Sequence, residues 1–174
     1  MIILALTGLF VYAMLSQRNR IVRAPVEKFV LTTRGEFIRA KWGHLTSLAQ
    51  VKYGVPQEII IATIGVESDG NAGVRGKAGE VGLMQLLAAG ALGDYERVFG
   101  QVFNPFDPVK NIDIGVWFLA EVNRAFPLEL WGEKIQAYNT GIQGYKNGRR
   151  VPAYVERFGK YLDIEYGPAN NFPT

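Results

Sequence analysis

Residues 59–66 read Ile-Ile-Ile-Ala-Thr-Ile-Gly-Val, eight positions without a charge and apolar almost all round. A helix of that composition has no polar face for water, so the rest of the fold must enclose it. Val55-Pro56-Gln57-Glu58 opens it, with Pro in the first turn and Glu58 near the positive end of the helix dipole. Glu67 follows directly. A carboxyl placed at the end of an apolar helix is desolvated and faces the negative end of the dipole. Both effects raise its pKa and favour the protonated form needed by a general acid. The same position also suits a solvated helix-end glutamate.

Around this segment the apolar spacing is helical. Residues 34–53 place Phe37, Ile38, Trp42, Leu45, Leu48, Ala49 and Val51 at helical intervals, with Gly54 as a stop. Residues 83–87 restart an apolar helical run. The turn Asn104-Pro105-Phe106-Asp107-Pro108 leads into a helix over 109–126, carrying Ile112, Gly115, Val116, Phe118, Leu119 and Val122 on one face. Pro127 starts a helix through Tyr138, and residues 152–164 form a last one. Gly70, Gly73, Gly76, Gly79 and Gly82 mark a loop or small hairpin that passes close to other backbone. The five repeats hold no proline, as collagen would, and Lys77-Ala78 does not fit a phosphate-binding loop. No sustained strand pattern is present, so the fold class expected is mainly α.

The ends carry a second signal. Residues 1–17 contain no ionisable side chain, while all 19 basic and 16 acidic residues lie at or beyond Arg18. As a helix the apolar run 1–16 would be about 24 Å long, close to the roughly 30 Å hydrocarbon core of a bilayer. It is expected to be a retained transmembrane or signal-anchor segment. Residues 18–33, with Arg18, Arg20, Arg23 and Lys28, are expected to be a basic tether, and 34–174 the globular domain. These cations favour holding the following domain on the cytoplasmic side.

The absence of Cys and the single His44 exclude disulfides, thiol catalysis and multi-histidine metal sites. Acid–base work therefore falls to carboxylates, and no metal or cofactor is expected. A net charge of +3 is too small to argue for nucleic acid.

Several boxes occur in a fixed order: Glu67-Ser68; Gly79-Glu80-Val81-Gly82-Leu83-Met84-Gln85-Leu86; Asn104-Pro105-Phe106-Asp107-Pro108 with Asn111-Ile112 and Gly115; Ala137-Tyr138-Asn139-Thr140-Gly141; and a closing Tyr154-Val155 helix. Together they resemble the SLT-type lytic transglycosylases of glycoside hydrolase family 23, which also contains the goose-type lysozymes. The resemblance implies a lysozyme-like α domain with a groove for peptidoglycan glycan strands. It makes Glu67 the catalytic acid and base and Ser68 its supporting neighbour, with Gln85, Tyr138 and Asn139 contacting the sugar. Met84 is either the site floor or core packing. The implied reaction cleaves the β-1,4 bond between N-acetylmuramic acid and N-acetylglucosamine and leaves a 1,6-anhydro end.

Two departures stand out. The position of Glu80 is usually a small residue in the family, and the proline expected after the Met-Gln box is missing at Leu87-Ala88. Glu80 is either a solvated loop residue or a second carboxylate that positions water, which would make the protein a hydrolytic muramidase. An inactive glycan-binding membrane protein is the reading from outside enzymology. A wall-cutting domain behind a cytoplasm-favouring anchor suggests a phage virion membrane or entry apparatus. The alternative is the bacterial inner membrane facing the periplasm. Virion or secretion-apparatus proteins would then be partners, besides the membrane itself.

Overall fold

A computed structural model describes residues 27–166. In chain order the elements are β1 (Glu27–Leu31), α1 (Thr33–Tyr53), α2 (Gln57–Ser68), α3 (Ala91–Phe99), α4 (Pro108–Ala125), α5 (Trp131–Thr140), α6 (Ile142–Lys146), α7 (Pro152–Phe158) and β2 (Leu162–Tyr166). The expected mainly helical architecture is present, and α2 is its axis. Ile59, Ile60, Ile61, Ala62 and Ile64 are fully buried, and α1, α7 and both strands pack around this helix. Burying an aliphatic side chain of this size contributes about 1.5–3 kcal/mol, which fixes α2 and hence the position of its C-terminal residues.

The caps follow the local chemistry. Thr32 accepts from Gly35 N at the start of α1, and Gly54 ends that helix in the left-handed region (φ 70°) with its N–H on Gln50 O. Asp107 caps α4, and Pro108 occupies its first turn. α2 ends at Asp69, also left-handed (φ 50°). The chain reversal there is held by α1, because Lys41 Nζ and Trp42 Nε1 both donate to Gly70 O, at 3.1 and 3.0 Å.

Three expectations are corrected, and one helix is added. Residues 83–87 are not a helix. Gly82 and Gln85 take positive φ (80° and 46°), and Val81 bridges Leu86 in a tight hairpin-like loop. The apolar run there plugs the core from a turn, so its spacing mimics a helix. The helix expected from Pro127 begins four residues later, at Trp131. α3 lies in a stretch that periodicity left unassigned, where the buried positions are Leu92 and Tyr95. The last helix stops at Phe158, and Leu162 and Ile164 pair with Leu31 and Phe29 across an antiparallel two-stranded sheet. Strands of five residues are short, and β1 alternates half-buried with exposed positions, which is too little pattern to stand out from helix spacing.

Strand β1 falls within the stretch expected to be a tether, 18–33, and its residues are laid on the domain. The expected membrane segment, 1–17, lies outside the described residues. Among the described residues, no helix is long and apolar enough to cross a membrane.

Candidate active site

Glu67 sits in the last turn of α2, partly buried. Gly65 makes room there, since a Cβ at that position would collide with the ring of Tyr161. Tyr154, from α7, donates its phenolic proton to Glu67 Oε1 at 2.7 Å. Burial pushes the Glu67 carboxyl up to about 7 and Glu80 adds to the rise, while the Tyr154 hydrogen bond and Arg157 act against it. Near neutral pH this carboxyl is therefore divided between its acid and base forms, the condition for giving a proton and then taking one. Tyr154 and Tyr138 are both held well above the ordinary phenol range, burial first and the Glu67 charge second, so both stay protonated donors.

Glu67 opens on a cleft of about 340 Å³ whose lining includes Gln85, Phe118, Tyr138, Asn139 and Arg149. Five segments meet there: the end of α2, the stretch 85–91 that runs into α3, the middle of α4, the end of α5 with Gly141, and the α6–α7 loop that carries Arg149. The sequence-expected residues Glu67, Gln85, Tyr138 and Asn139 are thus brought together. Gln85 is pinned by its own side chain, which donates to Gly82 O at 2.8 Å and Val74 O at 3.3 Å. Tyr138 donates to Met84 O at 2.9 Å and tilts its ring against Phe118. Asn139 is exposed and free to meet a ligand.

Ser68, Met84 and Glu80 lie outside that lining. Ser68 is buried, and its hydroxyl is shared between Ile64 O (3.0 Å) and Leu83 O (2.8 Å), which ties α2 to the hairpin loop. The Met84 side chain is fully buried against Gly115. That side chain packs in the core, and the Met84 carbonyl accepts from Tyr138. Glu80 folds back over Gly76 and accepts from Ala78 N at 3.0 Å. This internal bond occupies one oxygen of the candidate second carboxylate.

Besides Tyr154, two supporting residues have no site role assigned from the sequence. Asn111, fully buried on α4, accepts from Met84 N (2.7 Å) and donates to Val81 O (3.0 Å) and Pro105 O (2.7 Å), so one amide holds the loop that carries Gln85. Glu27 of β1 accepts from Trp131 N with both oxygens, at 2.9 and 3.0 Å, and so caps the helix that bears Tyr138 and Asn139. Asn111 sits in a quoted box, a usable signal. Glu27 is 104 positions from Trp131 and has none.

Comparison with known proteins finds a family and relatives for most of the globular part. The Transglycosylase SLT domain family matches residues 45–154. The chain is 27% identical over 124 residues to membrane-bound lytic murein transglycosylase E of Buchnera aphidicola, covering 68% of this chain and 54% of that protein. It is 35% identical over 104 residues to membrane-bound lytic murein transglycosylase C of Salmonella typhi, covering 53% and 29%. It is also 35% identical over 113 residues to endo-type membrane-bound lytic murein transglycosylase A of Citrobacter koseri, covering 62% and 55%. The chain therefore spans about half or less of the length of these curated relatives.

Proposed function

The chain belongs to the Transglycosylase SLT domain family, and on that premise we propose that it is a peptidoglycan lytic transglycosylase acting through Glu67. The protonated carboxyl gives its proton to the glycosidic oxygen as the bond from that oxygen to C1 of N-acetylmuramic acid breaks. The resulting carboxylate takes the proton of the muramyl 6-hydroxyl, and that oxygen closes on C1 to leave a 1,6-anhydro end. One proton is given and one taken, and no water is consumed. Gln85 and Asn139 orient the sugar, and Tyr154 aims the carboxyl.

The observation that carries this reading is a single carboxyl in the cleft among the described residues, lifted to about 7 and held by Tyr154. A mechanism with one carboxyl alternating between acid and base needs no partner, unlike the paired carboxylates of most glycosidases. The test is lysis of purified sacculi by the Glu67→Gln protein. Loss of clearing by at least about 100-fold is expected from removal of a general acid–base group, and unchanged clearing overturns the assignment. A wild-type protein that clears at no pH would leave only glycan binding.

For location, the reading is a membrane anchor over residues 1–17 with the catalytic domain beyond it. The charge-free start and the membrane-bound relatives support it. The basic flank at Arg18, Arg20 and Arg23 fits an anchor in a virion membrane or phage entry apparatus better than one that exports the domain from a cell. Intact chain in purified virions is the expected result, and chain confined to uninfected envelopes contradicts it.

A further inference from the structure

Among the described residues, the cleft is lined by one acidic side chain, Glu67, and one basic side chain, Arg149. The charges that shift Glu67 are those of Arg157 and Glu80, so Arg149 is not the partner of the reacting carboxyl. Among the described residues its guanidinium has no hydrogen-bond or ion-pair partner. Its neighbour is used quite differently. Arg150 lies 3.6 Å over the centre of the Tyr145 ring and donates to Tyr145 O (2.8 Å) and Arg149 O (2.9 Å). Arg149 N donates to Gly144 O at 3.0 Å. With its carbonyl and its N–H both bound, the backbone of Arg149 is fixed at the cleft. A Cβ on Gly144 would stand 3.8 Å from Arg149 Nη1, so the guanidinium lies beside a position with no side chain to screen it.

We infer that Arg149 is the carboxylate-reading residue of the cleft, making the site select glycan strands that bear an acid group beside the sugar ring. This rests on the proposed glycan reading. Sugar rings and acetamido groups carry no charge, so Gln85, Tyr138 and Asn139 are suited to them. An exposed guanidinium with free donors on a fixed backbone is suited to a carboxylate, which it can meet with two parallel N–H bonds. On a murein strand two groups supply that chemistry. They are the carboxylates of the peptide stem and, once the stem is removed, the lactyl carboxylate of N-acetylmuramic acid.

The test is binding to the full-length Glu67→Gln protein, which holds ligand without turnover. Three soluble ligands are compared: stem-bearing murein oligomers, the same oligomers stripped by an amidase to the free lactyl carboxylate, and N-acetylglucosamine oligomers with no carboxylate. The acid-bearing oligomers are expected to bind about 10-fold tighter than the uncharged ones at low salt, a preference that shrinks as salt screens it. Adding Arg149→Ala collapses that ratio to near 1, and Arg149→Lys restores part of it. Persistence of the preference after amidase treatment identifies the lactyl carboxylate, and its loss identifies the stem. A ratio unchanged by Arg149→Ala overturns the inference while leaving the glycan reading intact. Failure to bind any of the three overturns both.

Discussion

Tyr154 and Glu67 stand 87 positions apart and share a 2.7 Å hydrogen bond in which the phenol donates to the carboxyl. The bond stabilises the ionised form of Glu67 against the burial that disfavours it. Removing it in Tyr154→Phe moves the Glu67 pKa further up. Because the donor form is lost as pH rises through that pKa, the alkaline limb of the kcat/KM profile shifts to higher pH. A pH–rate profile on sacculi checks this, and a limb that stays in place contradicts it.

Glu80 acts on Glu67 with the opposite sign, since its charge raises the Glu67 pKa. Glu80→Gln is expected to keep turnover and to move the alkaline limb to lower pH. A second carboxylate that positions water would instead lose turnover on neutralisation, so the same profile separates the two roles.

The raised Glu67 pKa also has a stability signature. The folded carboxyl, at about 7 against the 4.5 of an ordinary glutamate, binds more protons than the unfolded one between those values. Folding therefore loses stability as pH climbs through that window. At 1.36 kcal/mol per pKa unit the loss is at most about 3 kcal/mol. Glu67→Gln escapes it. Thermal melts are expected to show the variant more stable than wild type at pH 8, with the difference gone by pH 4.

Glu27 tests how the site is held from outside. Its carboxylate caps α5 through Trp131 N, and Lys134 faces it from the same helix. Glu27→Ala is expected to cost about 1 kcal/mol in urea unfolding, the usual cost of losing a cap. Its effect on activity is expected in KM more than in kcat, because Asn139 lies on that helix and Glu67 does not. Glu27→Gln recovers part of both.

Gly115 is the point where α4 admits the Met84 loop. A Cβ there would stand 2.8 Å from Met84 Cβ and still closer to its sulfur. Gly115→Ala is expected to destabilise the fold by about 1–3 kcal/mol, as overpacking does, and to lower activity by displacing Gln85. Urea denaturation with parallel clearing assays checks both.

The residues whose roles are set by local chemistry were legible in the sequence. The uncharged run before Glu67 announced a buried helix ending in an acid, and α1 and α4 announced themselves through periodicity and caps. What stayed hidden depends on distant pairing. Glu27 with Trp131 and Tyr154 with Glu67 have no local signature. Neither does the β1–β2 sheet, whose strands stand at opposite ends of the described chain. The 83–87 loop misled because a buried turn and a buried helix place apolar residues at similar intervals. Only the positive φ of Gln85, invisible in its residue type, separates them. Met84 and Ser68 adjoin cleft residues in sequence, but their side chains are turned into the core, away from the cleft lining.

Mass spectrometry of the muropeptides released from sacculi by the wild-type protein shows whether Glu67 alone supplies acid and base. Products ending in 1,6-anhydro-N-acetylmuramic acid are predicted, 18 Da lighter than hydrolysed ends by the mass of one water. Reducing N-acetylmuramic acid ends would contradict the account, because they require a water activated at the cleft in place of the muramyl 6-hydroxyl.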